Sequence, residues 1–201
     1  MEAKKFRPVH TGVEEALLDG EPVLRVVKTE KQLEFDTDSY ARLVGEDFHN
    51  GTLRVKVRSR LLPDAPDLAR GFIGLAFRIN EKDSEFESFY VRPTNGRSCT
   101  DPVRRAHGCQ YFAFPGYTFA YFREFGVGGY EAPCDIDLDR WIDLKIEVEG
   151  PRGRFYVNDM ETPALVVEDL KHGDRRGGVG LFVDIGTEGF FKDLEIERAE
   201  D

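Results

Sequence analysis

WIDLKIEVEG, Trp141 to Gly150, alternates without a break: Ile142, Leu144, Ile146 and Val148 fall on one side, Asp143, Lys145, Glu147 and Glu149 on the other. A period of two is the signature of extended chain, because successive side chains of a strand point to opposite faces. One face is apolar and the other charged, so the segment is expected to be a half-buried strand with a wet outer side. TLRVKVRSR, residues 52–60, repeats the pattern with Leu53, Val55 and Val57 opposite Arg54, Lys56 and Arg58. The same period, interrupted by Gly, Pro, Asn and Asp, runs through PVLRVVKT, FESFYVR, CQYFAF, FAYFREF, RFYVND, ALVVED and FFKDLEIE. No window of helical length holds a 3.6-residue period. The expected class is all-β: about a dozen short strands in a two-sheet antiparallel jelly-roll sandwich, with residues 1–201 forming one domain.

Two strands carry small residues on one face. GFIGLAFRI sets Ile73, Leu75, Phe77 and Ile79 against Gly74, Ala76 and Arg78, and GVGLFVDIG sets Val179, Leu181, Val183 and Ile185 against Gly178, Gly180, Phe182 and Asp184. Missing side chains on a strand leave room for another backbone or a ligand, or they simply pack. RFYVNDMETPALVV is expected to be a hairpin turning at Asn158 and Asp159, and VDIGTEGFFKDLEI a second, turning at Gly186 to Gly189.

The chain has 201 residues and a formal net charge of −10. That sign argues against nucleic acid, whose phosphates would have to approach through a repulsive field. The start, MEAKKFRPVHTGVEEALLDG, has no apolar run of signal-peptide length and nothing later approaches a membrane span, so a cytoplasmic location without membrane contact is expected. Three cysteines, Cys99, Cys109 and Cys134, leave at least one thiol unpaired; a Cys99–Cys109 disulfide stays open.

Against the acidic whole, RPTNGRSCTDPVRRAHGCQY, Arg92 to Tyr111, gathers four arginines and a histidine. Such a local excess marks either a structural salt-bridge cluster or a site for an electron-rich ligand. FESFYVR brings Ser88, Tyr90 and Arg92 along one strand face into this stretch, and Asp101, Arg104, Arg105 and His107 are placed to surround a hydroxylated ligand. Arginine forks match paired oxygens and tyrosine offers a stacking face. Gln110, Tyr111 and Glu131 are expected neighbours. The structural alternative has Asp101 and Glu131 pairing with the arginines to pin two long loops.

Taken in order, FHNGTLRVKV, GFIGLAFRI, ESFYVRP, DRWIDLKIEVEG, RFYVND, PALVVEDL and GGVGLFVDIGTEGFFKDLEI, residues 48–196, resemble the concanavalin A-like lectin/glucanase sandwich. Within it, FYVRPTNGRSCTDPVRRAHGCQYF followed by YEAPCDIDLDRWIDLKIEVEG is similar to the 3-keto-disaccharide hydrolase domain family. The resemblance implies a carbohydrate ligand and, for an active member, a glycoside oxidised at carbon 3. The carbonyl acidifies the proton on carbon 2, a base removes it, the aglycone leaves from carbon 1, and water adds. The chemistry needs a base poised near neutral pH and a partner for the enolate, roles that histidine and arginine fill. His107 is the expected base and Arg104 or Arg105 the electrophile, with Asp101 as an alternative base or as the group orienting His107. Tyr90, Arg92, Arg105, Gln110, Tyr111 and Glu131 are the expected substrate contacts. Two other functions stay open: a non-catalytic carbohydrate-binding module of the same fold, and an interaction domain in which FAFPGYTFAYFREF is a dimer surface.

Other signals carry less. DIDLDR, residues 135–140, begins like a calcium loop but lacks the glycine and the glutamate an EF-hand requires. Glu147 and Glu149 lie two apart on a strand, a spacing at which paired carboxylates cleave glycosidic bonds if they face the ligand. His10, His49, His107 and His172 show no metal-ligand spacing, and there is no GxSxG elbow or phosphate-binding glycine loop. No metal and no cofactor is expected.

Overall fold

A computed structural model of the chain describes residues 1–29 and 34–199. The strands are β1 (Phe6–Val9), β2 (Thr11–Leu18), β3 (Glu21–Lys28), β4 (Tyr40–Leu43), β5 (Gly51–Leu61), β6 (Ile73–Ile79) and β7 (Phe86–Val91), then β8 (Cys109–Phe114), β9 (Glu131–Ala132), β10 (Ile142–Glu149), β11 (Arg152–Val157), β12 (Leu165–Val167), β13 (Gly178–Val183) and β14 (Thr187–Arg198). They form two seven-stranded antiparallel sheets, ordered β1-β4-β13-β6-β7-β8-β9 and β12-β11-β10-β5-β14-β3-β2. This is the jelly-roll sandwich expected from the alternation. Among the described residues no helix is long and apolar enough to cross a membrane.

The alternating segments lie at the centre of the second sheet. β5 pairs with β10, Val55 opposite Leu144 and Leu53 opposite Ile146, and these residues are buried while Lys56 stays exposed. The inner faces meet in a ring stack, with Phe89 of β7 4.6 Å from Phe155 of β11. Every residue of β6, β7 and β13 is buried, so the first sheet is covered on both faces. On its outer face Tyr90 stacks on Phe182 at 5.5 Å and meets Phe112 edge-on at 5.7 Å. The small residues there accommodate an aromatic ring: a Cβ on Gly180 would come within 3.0 Å of Tyr40.

Several local expectations need correction. FAYFREF is not a strand; Phe119–Glu124 forms a short helix, α2, following α1 at Pro102–Arg105. VDIGTEGFFKDLEI is not a hairpin, because β13 and β14 belong to opposite sheets and the turn at Asp184–Gly186 carries the chain between them. RFYVNDMETPALVV does pair, β11 with β12. The even face drawn through Arg78 breaks at a bulge: Arg78 adopts φ 53°, the register with β13 slips there, and Ile79 comes to lie beside Tyr40. All three cysteines are free thiols, and Cys109 neighbours Cys134, not Cys99.

The acids of DIDLDR are occupied by the protein itself. Asp135 pairs with Arg97, Asp137 accepts from the Ser98 amide at 3.0 Å, and Asp139 binds Arg58 and Arg60 at 2.7 Å each. Glu147 accepts from the Tyr156 hydroxyl at 2.6 Å and pairs with Lys145 at 2.9 Å, on the wet side of the second sheet. The paired-carboxylate mechanism thus loses the ligand-facing position it would require.

Candidate functional site

β7 and β8 pair with Tyr90 opposite Gln110, so both side chains leave the same outer face of the first sheet, with Arg92 two residues beyond Tyr90. Arg92 is 5% exposed and almost fully bonded. It donates to Glu131 Oε1 at 2.5 Å, to the Tyr90 hydroxyl at 3.0 Å, to the His107 carbonyl at 3.3 Å and to Gln110 Oε1. Burial works to lower its pKa, but the oxygens of Tyr90, Glu131 and Asp36 outweigh that and hold it above the ordinary value. The cation is therefore permanent.

The rest of the wall comes from segments far away in sequence. α2 begins with Thr118 as its N-cap, whose side chain makes no capping bond. The Asp36 carboxylate fills this role from across the fold, accepting from the Phe119 amide through the same Oδ2 that accepts from Gln110 Nε2 at 3.2 Å. The segment carrying Asp36 is itself fixed: its amide donates to Asp184 at 2.8 Å, and Asp184 forms a buried ion pair with Lys28 at 2.9 Å. Docked this way, α2 lays Phe119 between two cations, its ring centroid 5.4 Å from the Arg92 guanidinium carbon and 5.0 Å from that of Arg123, one helical turn on.

The result is a cavity of about 540 Å³. Phe35, Phe72, Tyr90 and Phe119 give it aromatic walls, Leu68 and Val103 add aliphatic surface, and Arg70, Arg92, Arg104, Arg123 and His107 are its ionisable lining. Among the described residues no carboxylate lines it. Glu131 stands behind the wall as a shared counter-ion, binding Arg123 at 2.9 Å as well as Arg92. His107 Nδ1 lies 3.3 Å from Glu131 Oε2 but off the line a hydrogen bond needs, which leaves this nitrogen without a hydrogen-bond partner. Burial lowers the His107 pKa, Glu131 opposes, and the charges of Arg123 and Arg92 push it down further, so the ring is neutral at pH 7.

Asp36 is buried beneath the same floor, and its Oδ1 has no hydrogen-bond partner. Burial pushes its pKa up to about 6, aided by the charge of Asp184 and resisted by the Phe119 amide and Arg92.

Of the residues singled out in the sequence, Tyr90, Arg92, Arg104 and His107 line the cavity, while Gln110 and Glu131 bond to Arg92 from behind it. Three are elsewhere. Tyr111 follows Gln110 on β8 and so points to the opposite, inner face, where its hydroxyl bonds Glu87. Asp101 caps α1, accepting from the Val103 and Arg104 amides at 2.9 and 3.4 Å. Arg105 is exposed outside the cavity, toward Asp135. Sequence reasoning missed Phe35, Asp36, Arg70, Phe72, Phe119 and Arg123. Only α2 offered a cue: the i, i+4 spacing of Phe119 and Arg123 was there to be seen, but the strand assignment for FAYFREF hid it.

No family model matches the chain, and no curated protein matches it either. Solved structures do. Carbohydrate-binding module CBM66 from Bacillus subtilis superposes with TM-score 0.58 at 16% identity, covering 94% of this chain and 95% of that one. A provisionally named glycosyl hydrolase from Parabacteroides distasonis ATCC 8503 gives 0.54 at 10% identity over 99% and 90%. A Bacillus subtilis protein of unknown function with a galectin-like fold gives 0.53 at 12% over 98% and 90%. At these identities the likeness is one of fold: the chain shares the two-sheet jelly-roll sandwich of these structures.

Proposed function

We propose that the chain is a carbohydrate-active domain whose ligand occupies the cavity between β7, α1 and α2, and that it acts on 3-keto-glycosides by elimination. The observation that carries this reading is a neutral histidine on the wall of an aromatic and arginine-lined cavity. A base at this position needs a free lone pair near neutral pH, which the environment of His107 favours. His107 takes the proton from carbon 2 of the keto sugar, and a cavity guanidinium hydrogen-bonds the enolate oxygen as charge builds there. The electron pair left on carbon 2 expels the aglycone from carbon 1, and water then adds to the unsaturated product. Arg92 holds the wall through Glu131 and Gln110 and contributes its field. The names of solved structures of similar fold, a carbohydrate-binding module and a glycosyl hydrolase, support a sugar as the ligand.

A second reading has an observation of its own: most of the polar side chains about the cavity are bonded to one another, as a rigid binding surface would be. On that reading the domain holds a sugar without turning it over. Incubation of native protein and His107→Ala with a panel of 3-keto-glycosides, followed by mass spectrometry, separates the two. Aglycone released by the native protein alone supports the elimination; saturable binding of the sugars with no product supports the binding module.

A further inference from the structure

Among the described residues, the arginines lining the cavity outnumber the carboxylates ion-paired with them, and that excess says what kind of sugar the cavity suits. Glu131 serves both Arg92 and Arg123. Arg70 and Arg104 have no carboxylate partner among the described residues. Arg70 donates to the carbonyls of Asp67 and Ala69 at 2.6 and 2.9 Å, and Arg104 to Asn95 Oδ1 and Thr94 Oγ1 at 3.1 Å each. Neutral oxygens orient a guanidinium without cancelling its charge. In a chain with 38 acids against 28 basic residues, two cations facing one cavity with no ion-paired carboxylate among the described residues, Asp67 reaching Arg70 only as a nearby charge, stand against the overall composition.

Hydrogen-bond chemistry points the same way. A neutral sugar offers hydroxyls that must donate as well as accept, and sugar sites commonly meet them with carboxylates and amide oxygens. A guanidinium only donates. Among the described residues the cavity has four of them, no carboxylate in its lining, and an Asn95 oxygen already engaged by Arg104. A ligand matched to this set brings acceptors in excess, and a planar oxyanion meets the arginine fork with two parallel bonds.

We propose that the cavity takes an acidic carbohydrate, one carrying a carboxylate or a sulfate ester on the sugar or its aglycone, with Arg70 and Arg104 as the anion-binding pair and Phe35 and Phe119 as the apolar walls against the ring. This rests on the cavity being a sugar site and specifies which sugars. The unliganded state is consistent with it: burial and then the neighbouring charges of Arg104 and Arg92 hold the Arg70 pKa below the ordinary value, a crowding of like charge that a bound anion relieves. Phe35 and Phe119 are partly exposed and meet edge to face at 6.3 Å, which leaves ring surface open to a ligand.

The test is calorimetric titration of the full chain with three oligosaccharides of matched length: a hexuronate oligomer, a sulfated neutral-sugar oligomer and the unsulfated parent. Arg70→Gln and Arg104→Gln are titrated beside the native protein, and their thermal melts show whether each has folded. The acidic oligomers are expected to bind about tenfold or more tightly than the neutral one, and each substitution to remove about tenfold of that affinity, as loss of a charged fork would. Preference for hexuronate identifies a carboxylate ligand and preference for the sulfated oligomer a sulfate ester, each supporting the proposal. A neutral oligomer that binds as tightly as the acidic ones overturns the acid preference while leaving the sugar site standing. Absence of binding by all three overturns both. Acidic binding that folded Arg70→Gln and Arg104→Gln leave unchanged overturns the assignment of these two arginines.

Discussion

Two arginines buried at opposite ends of the first sheet show what separates a brace from a site. Arg78, at the end of β6, is 3% exposed and donates mainly to main-chain carbonyls: His49 at 3.0 Å, Gly173 at 2.8 Å and Gly150 at 2.8 Å, with Asn50 Oδ1 at 3.0 Å. Arg92, beyond the end of β7, is equally buried but is held mostly by side chains: Glu131, Gln110 and Tyr90. Around Arg78, burial lowers the pKa and the bonded carbonyls tie three loops together. Around Arg92 the partners are themselves part of the wall, and the space between them stays open. A buried cation locked by backbone fixes topology; one locked by side chains also sets the charge of a surface.

The comparison breaks first at Arg78. Arg78→Met removes the buried donor shared by three carbonyls, Asn50 Oδ1 and the Asp174 carboxylate, and is expected to cost about 3–5 kcal/mol of stability, read by chemical denaturation, while oligosaccharide affinity of the folded fraction is unchanged. Loss of affinity with unchanged stability would show that the two ends are not separate in role.

Asp36 gives the next largest effect, through pH. Its folded-state pKa of about 6 lies above the unfolded 3.8, so the folded state holds the extra proton between these values. Stability from this group is fully present below 3.8 and is lost as pH rises through 6, in all about 3 kcal/mol. Asp36→Asn cannot ionise, so native stability minus variant stability should fall by that order from pH 3.5 to 8 and be flat above about pH 7. A difference independent of pH would remove the buried-charge account.

Arg92→Lys sharpens the contrast. The charge survives but the fork to Glu131, Gln110 and Tyr90 does not, and a loss of about 2 kcal/mol is expected with weakened sugar binding. The smallest expected change in stability is at His107. His107→Ala should alter the folding free energy by no more than about 1 kcal/mol while, on the proposed elimination, abolishing turnover of a 3-keto-glycoside. On the proposed elimination, turnover by the native protein should fall on the acid side with a midpoint below the ordinary histidine value of 6.5.

Local pattern determined much of this protein. The alternation in residues 52–60 and 141–150 specified half-buried strands because a strand's period of two is a property of the backbone itself. Enough such segments without a helical period left a two-sheet sandwich as the expected fold. The cluster at Arg92, Arg104 and His107 was visible because it breaks the acidic trend of the chain. What stayed hidden depends on pairing. Tyr111 was placed beside Gln110 in the expected site, yet one step along β8 turns a side chain to the other face. FAYFREF has the composition of a strand, and Asp36, 83 residues earlier, supplies the cap that its helix lacks locally. The cavity itself, with Phe35, Arg70 and Phe119 drawn to one place, was decided only by tertiary structure, because charge balance is a sum over neighbours in space and a sequence orders neighbours only along the chain.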